Sequence, residues 1–302
     1  MGQIFGSEHY VGKKKKNYFE GWYFRHNSAY PFSFIAGVSR AEGDEHSFVQ
    51  YIDCNCSRYF RFALSDFSYN KTDMEIRIGN NVFSQRGISA DVGEGDGRIT
   101  ADVGYSGMVR YKKSLYAPSV MGPFSYLPMV CRHGIISLDH AFEGTLSVGV
   151  KTHLLTGKGY IEKDFGNSFP ENYFWMHASA AETSIMCAVA WPLIFGIRGF
   201  LCVISHKGKQ YNLSLYSGAK LKKFSVTPDG AHLIIKKGGS ELTVTAASNA
   251  SAQKLIAPDR GGNMTIEINE NLLADLSVFL TLRGEQIDLR TLTTSCFESV
   301  LK

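Results

Sequence analysis

The chain has 302 residues, a length that suits one large β domain or two domains of ordinary size. Hydrophobic residues make up 44% of it and charged residues 20%, values typical of a globular protein with a substantial core. The net charge of +4 is small for this length, and no basic stripe interleaved with aromatic residues recurs, so the sequence predicts no nucleic-acid partner.

The N-terminal region carries a run of four lysines, Lys13 to Lys16. A solvated surface segment is the ordinary interpretation of such a run, and peripheral contact with a membrane surface is the alternative. The first residues contain no apolar stretch of signal-peptide length, and the apolar run 185–197 is too short to span a bilayer. We therefore expect a cytoplasmic protein whose six cysteines are reduced thiols.

Short strands are predicted along nearly the whole chain, because aromatic and β-branched runs alternate with turn residues. The first four are 18–25, 33–38, 48–52 and 59–64. Hairpin turns are predicted at Asn80-Asn81, at Pro228-Asp229-Gly230 and at Gly238-Gly239. The best helix candidate is "ENLLADLSVFL", and its second half suits a strand equally well. The pattern predicts an all-β protein.

A weak internal repeat in the sequence indicates two β domains with a similar order of strands. The segments "DCNCSRYFRFALSDFS" and "ISHKGKQYNLSLYSGAKL" share the order of strand, polar link and second strand. We predict an N-terminal domain at 1–156 and a C-terminal domain at 157–302. Antiparallel sheets that curl and close can hold an apolar ligand in the mouth or between domains.

The stretch "GKGYIEKDFGNSFPENYFWMH" places three adjacent charges, Glu162, Lys163 and Asp164, among aromatic residues. On an extended strand Tyr160, Glu162 and Asp164 share one face, and Lys163 points to the other. Repulsion between the two carboxylates, or burial, would raise one pKa and give a neutral acid able to donate a proton. The alternative is an exposed edge strand with a local ion pair.

Two other segments repeat or extend this chemistry. In "NYFEGWYFRH", Glu20 lies among aromatic residues, with Trp22 on its own face and Tyr23 on the other. The run that follows "MGPFSYLPMVCR" contains His133, Asp139 and His140, with His133 and Asp139 on one face of an extended strand. Each histidine taken alone is more typical of a core or surface residue than of a catalyst. No His or Cys spacing matches a metal site, so we expect neither a metal nor an organic cofactor.

Several motifs in order resemble the tocopherol cyclase family. They are "YFEGWYF", "MGPFSYLP", "HGIISLDHAFEGTL", "GKGYIEKDFGNSFPENYFWM" and "LYSGAKL". The resemblance implies a pair of lipocalin-like β domains with an apolar cavity and cofactor-free cyclisation of a prenylated hydroquinone. That family is similar in turn to carotenoid hydratases and to fungal decalin-forming pericyclases.

The resemblance also assigns individual positions. The catalytic His and the Trp of the hydratase stretch "GYHDHNWG" fall on Lys163 and Phe165 here. The Gln that often follows W-M in the cyclases is His177, next to the motif residues Trp175 and Met176. These departures from the family pattern leave the substrate open.

The sequence therefore predicts an all-β chain of two lipocalin-like antiparallel barrel or sandwich domains in tandem. Its predicted function is acid-catalysed cyclisation or isomerisation of a prenylated or polyene lipid, and the alternative is a protein that binds an apolar ligand unchanged. The candidate catalytic residues are Asp164 as proton donor, Glu162 or Lys163 to set its pKa, and Tyr160 to orient it or the substrate. If Lys163 pairs with Asp164, Glu162 takes the role of proton donor. The candidate substrate-binding residues are Glu20, Trp22, Tyr23, Phe124, His140, Phe165, Trp175 and His177.

Overall fold

The computed structural model describes residues 8–12, 15–191, 198–227, 229–247, 252–292 and 295–301. Within these ranges the regular structure is β-strand, with four short 3₁₀ turns and no α-helix, which confirms the all-β prediction. The second half of "ENLLADLSVFL" lies in a strand, Asp275–Leu282. Across the same ranges, no helix has the length and hydropathy needed to cross a membrane.

Eleven strands form the first sheet, in the order β4-β3-β2-β1-β11-β10-β9-β8-β7-β6-β5. The edge strands β4 and β5 follow one another in sequence across a 3₁₀ turn at Leu64–Asp66, so the sheet curls into a nearly closed barrel. The strands are β1 (Phe19–Asn27), β2 (Phe32–Ala41), β3 (Asp44–Asp53), β4 (Ser57–Ala63), β5 (Phe67–Asn70), β6 (Glu75–Ile78), β7 (Asn81–Ser84), β8 (Gly87–Val92), β9 (Ile99–Val109), β10 (Cys131–Val148) and β11 (Lys151–Gly166).

The remaining strands form two sheets, ordered β15-β14-β13-β12-β23-β20-β19 and β16-β17-β18-β21-β22. They are β12 (Asn172–Ala180), β13 (Thr183–Trp191), β14 (Gly199–His206), β15 (Lys209–Asn212), β16 (Lys220–Thr227), β17 (Gly230–Lys237), β18 (Ser240–Ala247), β19 (Gln253–Pro258), β20 (Met264–Asn271), β21 (Asp275–Leu282), β22 (Glu285–Leu292) and β23 (Ser295–Val300).

The predicted hairpins are present, with one shift in position. The turn between β6 and β7 lies at Gly79-Asn80, one residue before the predicted Asn80-Asn81, and Gly238-Gly239 joins β17 to β18. The third turn joins β16 to β17, where Pro228 lies outside the described residues. The two segments of the weak internal repeat also share a structural feature. A 3₁₀ turn at Leu215–Ser217 follows β15, as Leu64–Asp66 follows β4.

The chain divides into two compact units, Met1–Phe169 with Ile256–Glu267, and Pro170–Leu255 with Ile268–Lys302. The predicted boundary after residue 156 lies inside β11, which belongs wholly to the first unit. Gly157, the first residue after the predicted boundary, is a strand residue packed against β1. A Cβ at Gly157 would lie 1.9 Å from the backbone oxygen of Asn27, so glycine allows the close approach of the two strands.

Each unit has its own hydrophobic core. The core of the first unit includes Trp22, Phe24 and Ile161, and the core of the second includes Phe174 and Leu233. All six cysteines are free thiols, as expected.

A buried ion pair crosses the inner face of the first barrel. The Lys163 ammonium contacts the Glu20 carboxylate, and neither side chain is exposed to solvent. Lys163 Nζ also lies 4.8 Å from the centroid of the Trp22 ring and 4.5 Å from that of Phe165, so both rings face the cation. The pair is thus enclosed by side chains that the sequence suggested for substrate binding.

The N-terminal segment 8–12 completes the coordination of this pair. Glu20 accepts backbone N–H groups of Val11 at 3.0 Å and Gly12 at 2.9 Å, and Lys163 donates to the carbonyl of His9. Trp22 Nε1 donates to the carbonyl of Glu8 at 2.9 Å. The buried charges are therefore satisfied by hydrogen bonds as well as by each other, which is the condition for burying an ion pair.

We expect Lys163→Met to lower the free energy of unfolding by about 3–5 kcal/mol, because it leaves the Glu20 carboxylate buried without its cation. Urea denaturation of the single variant and of Glu20→Gln/Lys163→Met measures this. The double variant should be more stable than Lys163→Met, since it leaves no uncompensated charge. A Lys163→Met protein as stable as the unmodified chain would contradict the burial of this pair.

Candidate functional site

The charged triplet lies on β11, which is hydrogen bonded to β1 on one side and β10 on the other. Asp164 is directly opposite His133 of β10, and Glu162 is directly opposite Tyr23 of β1. Cross-strand neighbours in register share a face of the sheet. The pairing therefore collects these four side chains on the face opposite to the Lys163 pair.

His133 lies between the two carboxylates. Its Nδ1 is 2.9 Å from Asp164 Oδ1, and its Nε2 is 3.3 Å from Glu162 Oε2. The exposed fractions of the side chains are 13% for His133, 8% for Glu162 and 20% for Asp164, so the cluster is largely buried but reachable from solvent. We call these three residues the His133 cluster.

Other polar groups surround the His133 cluster. The Tyr160 hydroxyl donates a hydrogen bond to Glu162 Oε2, and the Cys131 thiol lies 3.8 Å from Asp164 Oδ1. Tyr23 is buried on the same face, and its hydroxyl accepts a hydrogen bond from Ser33 at 3.1 Å. The carboxylates therefore have several partners, and the aromatic rings of Tyr23 and Tyr160 lie beside them.

The cluster favours a positive charge on the imidazole. Burial opposes that charge, but the carboxylates of Glu162 and Asp164 outweigh it and raise the pKa of His133 to about 9. Burial, and then the Asp164 carboxylate, raise the pKa of the Cys131 thiol well above its usual value. At neutral pH the His133 ring therefore carries a positive charge, and the Cys131 thiol at the edge of the site is protonated.

The segment that precedes β10 contacts the cluster. Met121 Sδ accepts the backbone N–H of His133 at 3.2 Å, and a 3₁₀ turn at Gly122–Tyr126 follows. Ser119 and Ser125 share a hydrogen bond of 2.7 Å across this turn. Phe124, predicted to bind substrate, lies in the same turn and is half-buried.

Four other predicted site residues lie on the opposite face of the sheet. Lys163 and Glu20 form the enclosed ion pair of the barrel interior, with Trp22 and Phe165 around it. Lys163 points away from Asp164, as strand alternation predicts. Its partner is Glu20, so the carboxylates of β11 are paired with His133 instead.

His140 belongs to a separate buried group. Its Nδ1 shares a 2.9 Å hydrogen bond with Ser137, and its ring packs 4.5 Å from that of Tyr105. Burial first, and then the nearby Lys158 ammonium, lower its pKa to about 3, so the ring is neutral. A Cβ at Gly159 would lie 2.1 Å from His140 Nε2, which indicates tight packing.

Trp175 and His177 lie on β12 in the second unit. Both are buried there, and His177 Nε2 is hydrogen bonded to Ser184 Oγ at 3.1 Å.

Sequence reasoning gave His133 no special weight. It grouped His133 with Asp139, but Asp139 binds Lys158 at 2.7 Å. Bulges in β10 change the register between residues 135 and 140, so simple alternation fails there. The β10–β11 hairpin could have indicated this contact, because its two long adjacent strands place residue 133 beside the charged triplet.

The His133 cluster also offers the donor atoms that a metal would need. One ligand atom from each of His133, Glu162 and Asp164 lies within 4.8 Å of the others, a set that sequence spacing did not reveal. In the observed geometry, however, different ring nitrogens face the two carboxylates. A cation would bind one of these nitrogens and displace the hydrogen bond or ion pair that this nitrogen makes in the observed arrangement.

The fold has counterparts among solved structures, although no protein-family model and no curated protein matches the chain. A crystal structure of a Nitrosomonas europaea protein provisionally assigned as AttH matches with a TM-score of 0.52 and 10% identity over 93% of this chain and 92% of that one. The crystal structure of kievitone hydratase from Nectria haematococca matches with a TM-score of 0.49 and 12% identity, over 97% of this chain and 93% of that one. At these identities the first match supports the lipocalin-like fold and not a particular chemistry.

We expect the His133 ring to titrate near pH 9, far above the ordinary value near 6.5. Glu162→Gln and Asp164→Asn should each lower this pKa, because each removes one carboxylate that stabilises the imidazolium. Nuclear magnetic resonance titration of the histidine ring nitrogens measures it, with His140 as an internal reference that stays neutral above about pH 3. A His133 pKa near 6.5 in the unmodified protein would contradict the described cluster.

Proposed function

We propose that the protein is a cofactor-free cyclase or isomerase of a prenylated or polyene lipid, and that the His133 cluster moves the protons. The observation that supports this most directly is an imidazole placed between two carboxylates, 2.9 Å from Asp164 and 3.3 Å from Glu162. Burial of titratable groups opposes folding unless they are paired. A protein that only carries an apolar ligand gains little from such a cluster.

An intramolecular addition of O–H across C=C needs one proton at carbon and the removal of one proton from oxygen. The imidazolium can supply the first proton, and the Glu162 carboxylate can accept the second. The composition of the substrate is unchanged. One proton transfer from Glu162 to His133, which are 3.3 Å apart, then restores the site for the next turnover.

The roles of the three residues follow from their contacts. Asp164 accepts the Nδ1 proton of His133 and so fixes the orientation of the ring, which makes it a positioning residue in this proposal. Nε2 faces Glu162 but makes no hydrogen bond of ordinary geometry within the described residues. We therefore assign proton donation to His133 Nε2, in place of Asp164, and proton removal to Glu162, with Tyr160 holding its carboxylate.

The raised pKa of His133 affects the order of the proton transfers in the proposed reaction. An imidazolium with a pKa of about 9 is a weaker acid than a neutral carboxylic acid. It favours a concerted reaction, in which oxygen loses its proton as carbon gains one, over release of a free tertiary cation. The buried rings of Tyr23 and Tyr160 would still stabilise positive charge that develops on the alkene.

The choice of a prenylated or polyene substrate comes from the motif resemblance to the tocopherol cyclase family. The alternative function is binding of an apolar ligand without conversion. The two differ in whether a bound ligand exchanges hydrogen with solvent, and mass spectrometry of lipid that copurifies with the protein would give the first substrates to test.

We expect a short-chain prenylated hydroquinone incubated with the protein in D₂O to gain one deuterium on carbon as it cyclises to a chromanol. Mass spectrometry and proton spectra of the product detect the label and its position. Recovery of a bound but unlabelled and unchanged ligand, across prenylated hydroquinones and the copurifying lipid, would favour the binding function. Addition of a metal chelator should leave turnover unchanged.

His133→Gln should reduce the turnover rate by about a hundredfold to ten-thousandfold, because it removes the proton donor. In the unmodified protein kcat/KM should fall as pH rises through about 9, where His133 loses its proton. Asp164→Asn should shift this fall to lower pH. His46→Gln is the matched control, since His46 is a buried histidine of β3 hydrogen bonded to Tyr59 at 2.8 Å. Equal turnover by His133→Gln and His46→Gln would overturn the assignment.

A further inference from the structure

The segment between β9 and β10, residues 110–130, exposes an unusual share of apolar surface. Nine large apolar side chains are exposed in the described part of the chain, and five of them lie in this segment. They are Leu115 at 79%, Tyr116 at 61%, Val130 at 55%, Tyr126 at 47% and Leu127 at 41%. Exposed apolar side chains clustered in this way mark an interaction site more often than isolated ones do.

The segment is held in a defined shape by its own hydrogen bonds. The Tyr126 hydroxyl donates to the carbonyl of Leu115 at 2.6 Å, which joins the two ends of the apolar set. Leu127 N–H donates to the carbonyl of Phe124 at 3.1 Å, and Arg132 Nη2 donates to the carbonyl of Leu127 at 2.9 Å. These hydrogen bonds hold together the segment that carries the exposed side chains, and we call its exposed surface the 110–130 face.

Positive charge borders this face. Arg110, Lys112 and Lys113 are exposed immediately before Leu115, and Arg132 follows Val130. The sequence contains no Asp or Glu between Asp102 and Asp139. Lys113 also contacts Glu8, so its charge is partly offset. Arg110, Lys112 and Arg132 also carry positive charge next to the apolar surface.

We propose that the 110–130 face docks on an anionic lipid bilayer. Leucine and tyrosine side chains would enter the boundary between headgroups and acyl chains, and the arginine and lysine side chains would contact anionic headgroups. Protein interfaces are poor in lysine, whereas exposed leucine and tyrosine beside lysine and arginine are the composition of an interfacial membrane contact. The lysine run 13–16 is a different segment: Lys13 and Lys14 lie outside the described residues, and Lys15 Nζ lies 4.6 Å from the Tyr18 ring centroid.

Docking here would also place the His133 cluster close to the source of an apolar substrate. The same segment contains Met121, whose sulfur accepts the His133 N–H at 3.2 Å. A lipid leaving the bilayer along this segment would reach the cluster with little exposure to water. This consequence rests on the proposed function, but the docking itself does not.

The test is flotation of the full chain with vesicles of phosphatidylcholine alone or mixed with phosphatidylglycerol. The unmodified protein should float with the anionic vesicles, and less so as salt is raised. Leu115→Asn/Leu127→Asn should lower partitioning by about tenfold or more, because two side chains no longer enter the apolar layer. The matched control is Val150→Asn/Leu154→Asn, which changes side chains exposed by 92% and 83% and should float normally.

Two further variants separate the contributions. Arg110→Glu/Lys112→Glu should lose binding to anionic vesicles, and Tyr116→Trp should give added fluorescence that brominated lipids quench. Near-ultraviolet circular dichroism checks that each variant is folded.

Failure of the unmodified protein to float would overturn the proposal, as would an equal loss of vesicle binding in Leu115→Asn/Leu127→Asn and in the control variant. So would a dimer that only the Leu115→Asn/Leu127→Asn variant abolishes, since the face would then bind a second copy. Deuterium incorporation without flotation would overturn the docking surface and leave the proposed function standing.

Discussion

The register of β11 between β1 and β10 is the constraint on which both charged clusters depend. Successive side chains of a strand face opposite ways, so β11 directs Lys163 into the barrel core and Glu162 and Asp164 to the other face. β1 supplies Glu20 to the inner pair, and β10 supplies His133 to the outer cluster. A shift of one residue would exchange the faces and separate each charge from its partner.

Both clusters pair buried charged groups, but they differ in their exposure to solvent. The Lys163–Glu20 pair has no solvent exposure and is bound by backbone groups of residues 8–12, so both side chains are held in place. His133 and Asp164 keep 13% and 20% of their side-chain surface exposed. Since imidazole also has the lowest ordinary pKa among the cationic side chains, the outer cluster can exchange a proton and the inner one serves the fold.

The segment that leads into β10 connects this cluster to the molecular surface. Met121 contacts the backbone of His133, and the neighbouring leucine and tyrosine side chains are exposed. Exposure of these apolar side chains to water is unfavourable. If both proposals hold, this segment would connect a lipid-docking surface with the His133 cluster as the site of proton transfer.

The local sequence pattern by itself determined the all-β class, most of the hairpins and the separation of Lys163 from its two acidic neighbours. Turn residues and the two-residue period of a strand depend only on consecutive residues, so both can be read from the sequence. The partners of those charges were decided only in three dimensions. Glu20 and His133 are distant in sequence from the triplet and reach it through strand pairing. The predicted boundary after residue 156 likewise falls inside β11, where Gly157 packs against the backbone of Asn27. Non-local pairing and bulges carry no signal in a single strand, so the charges could be found from the sequence but their contacts could not.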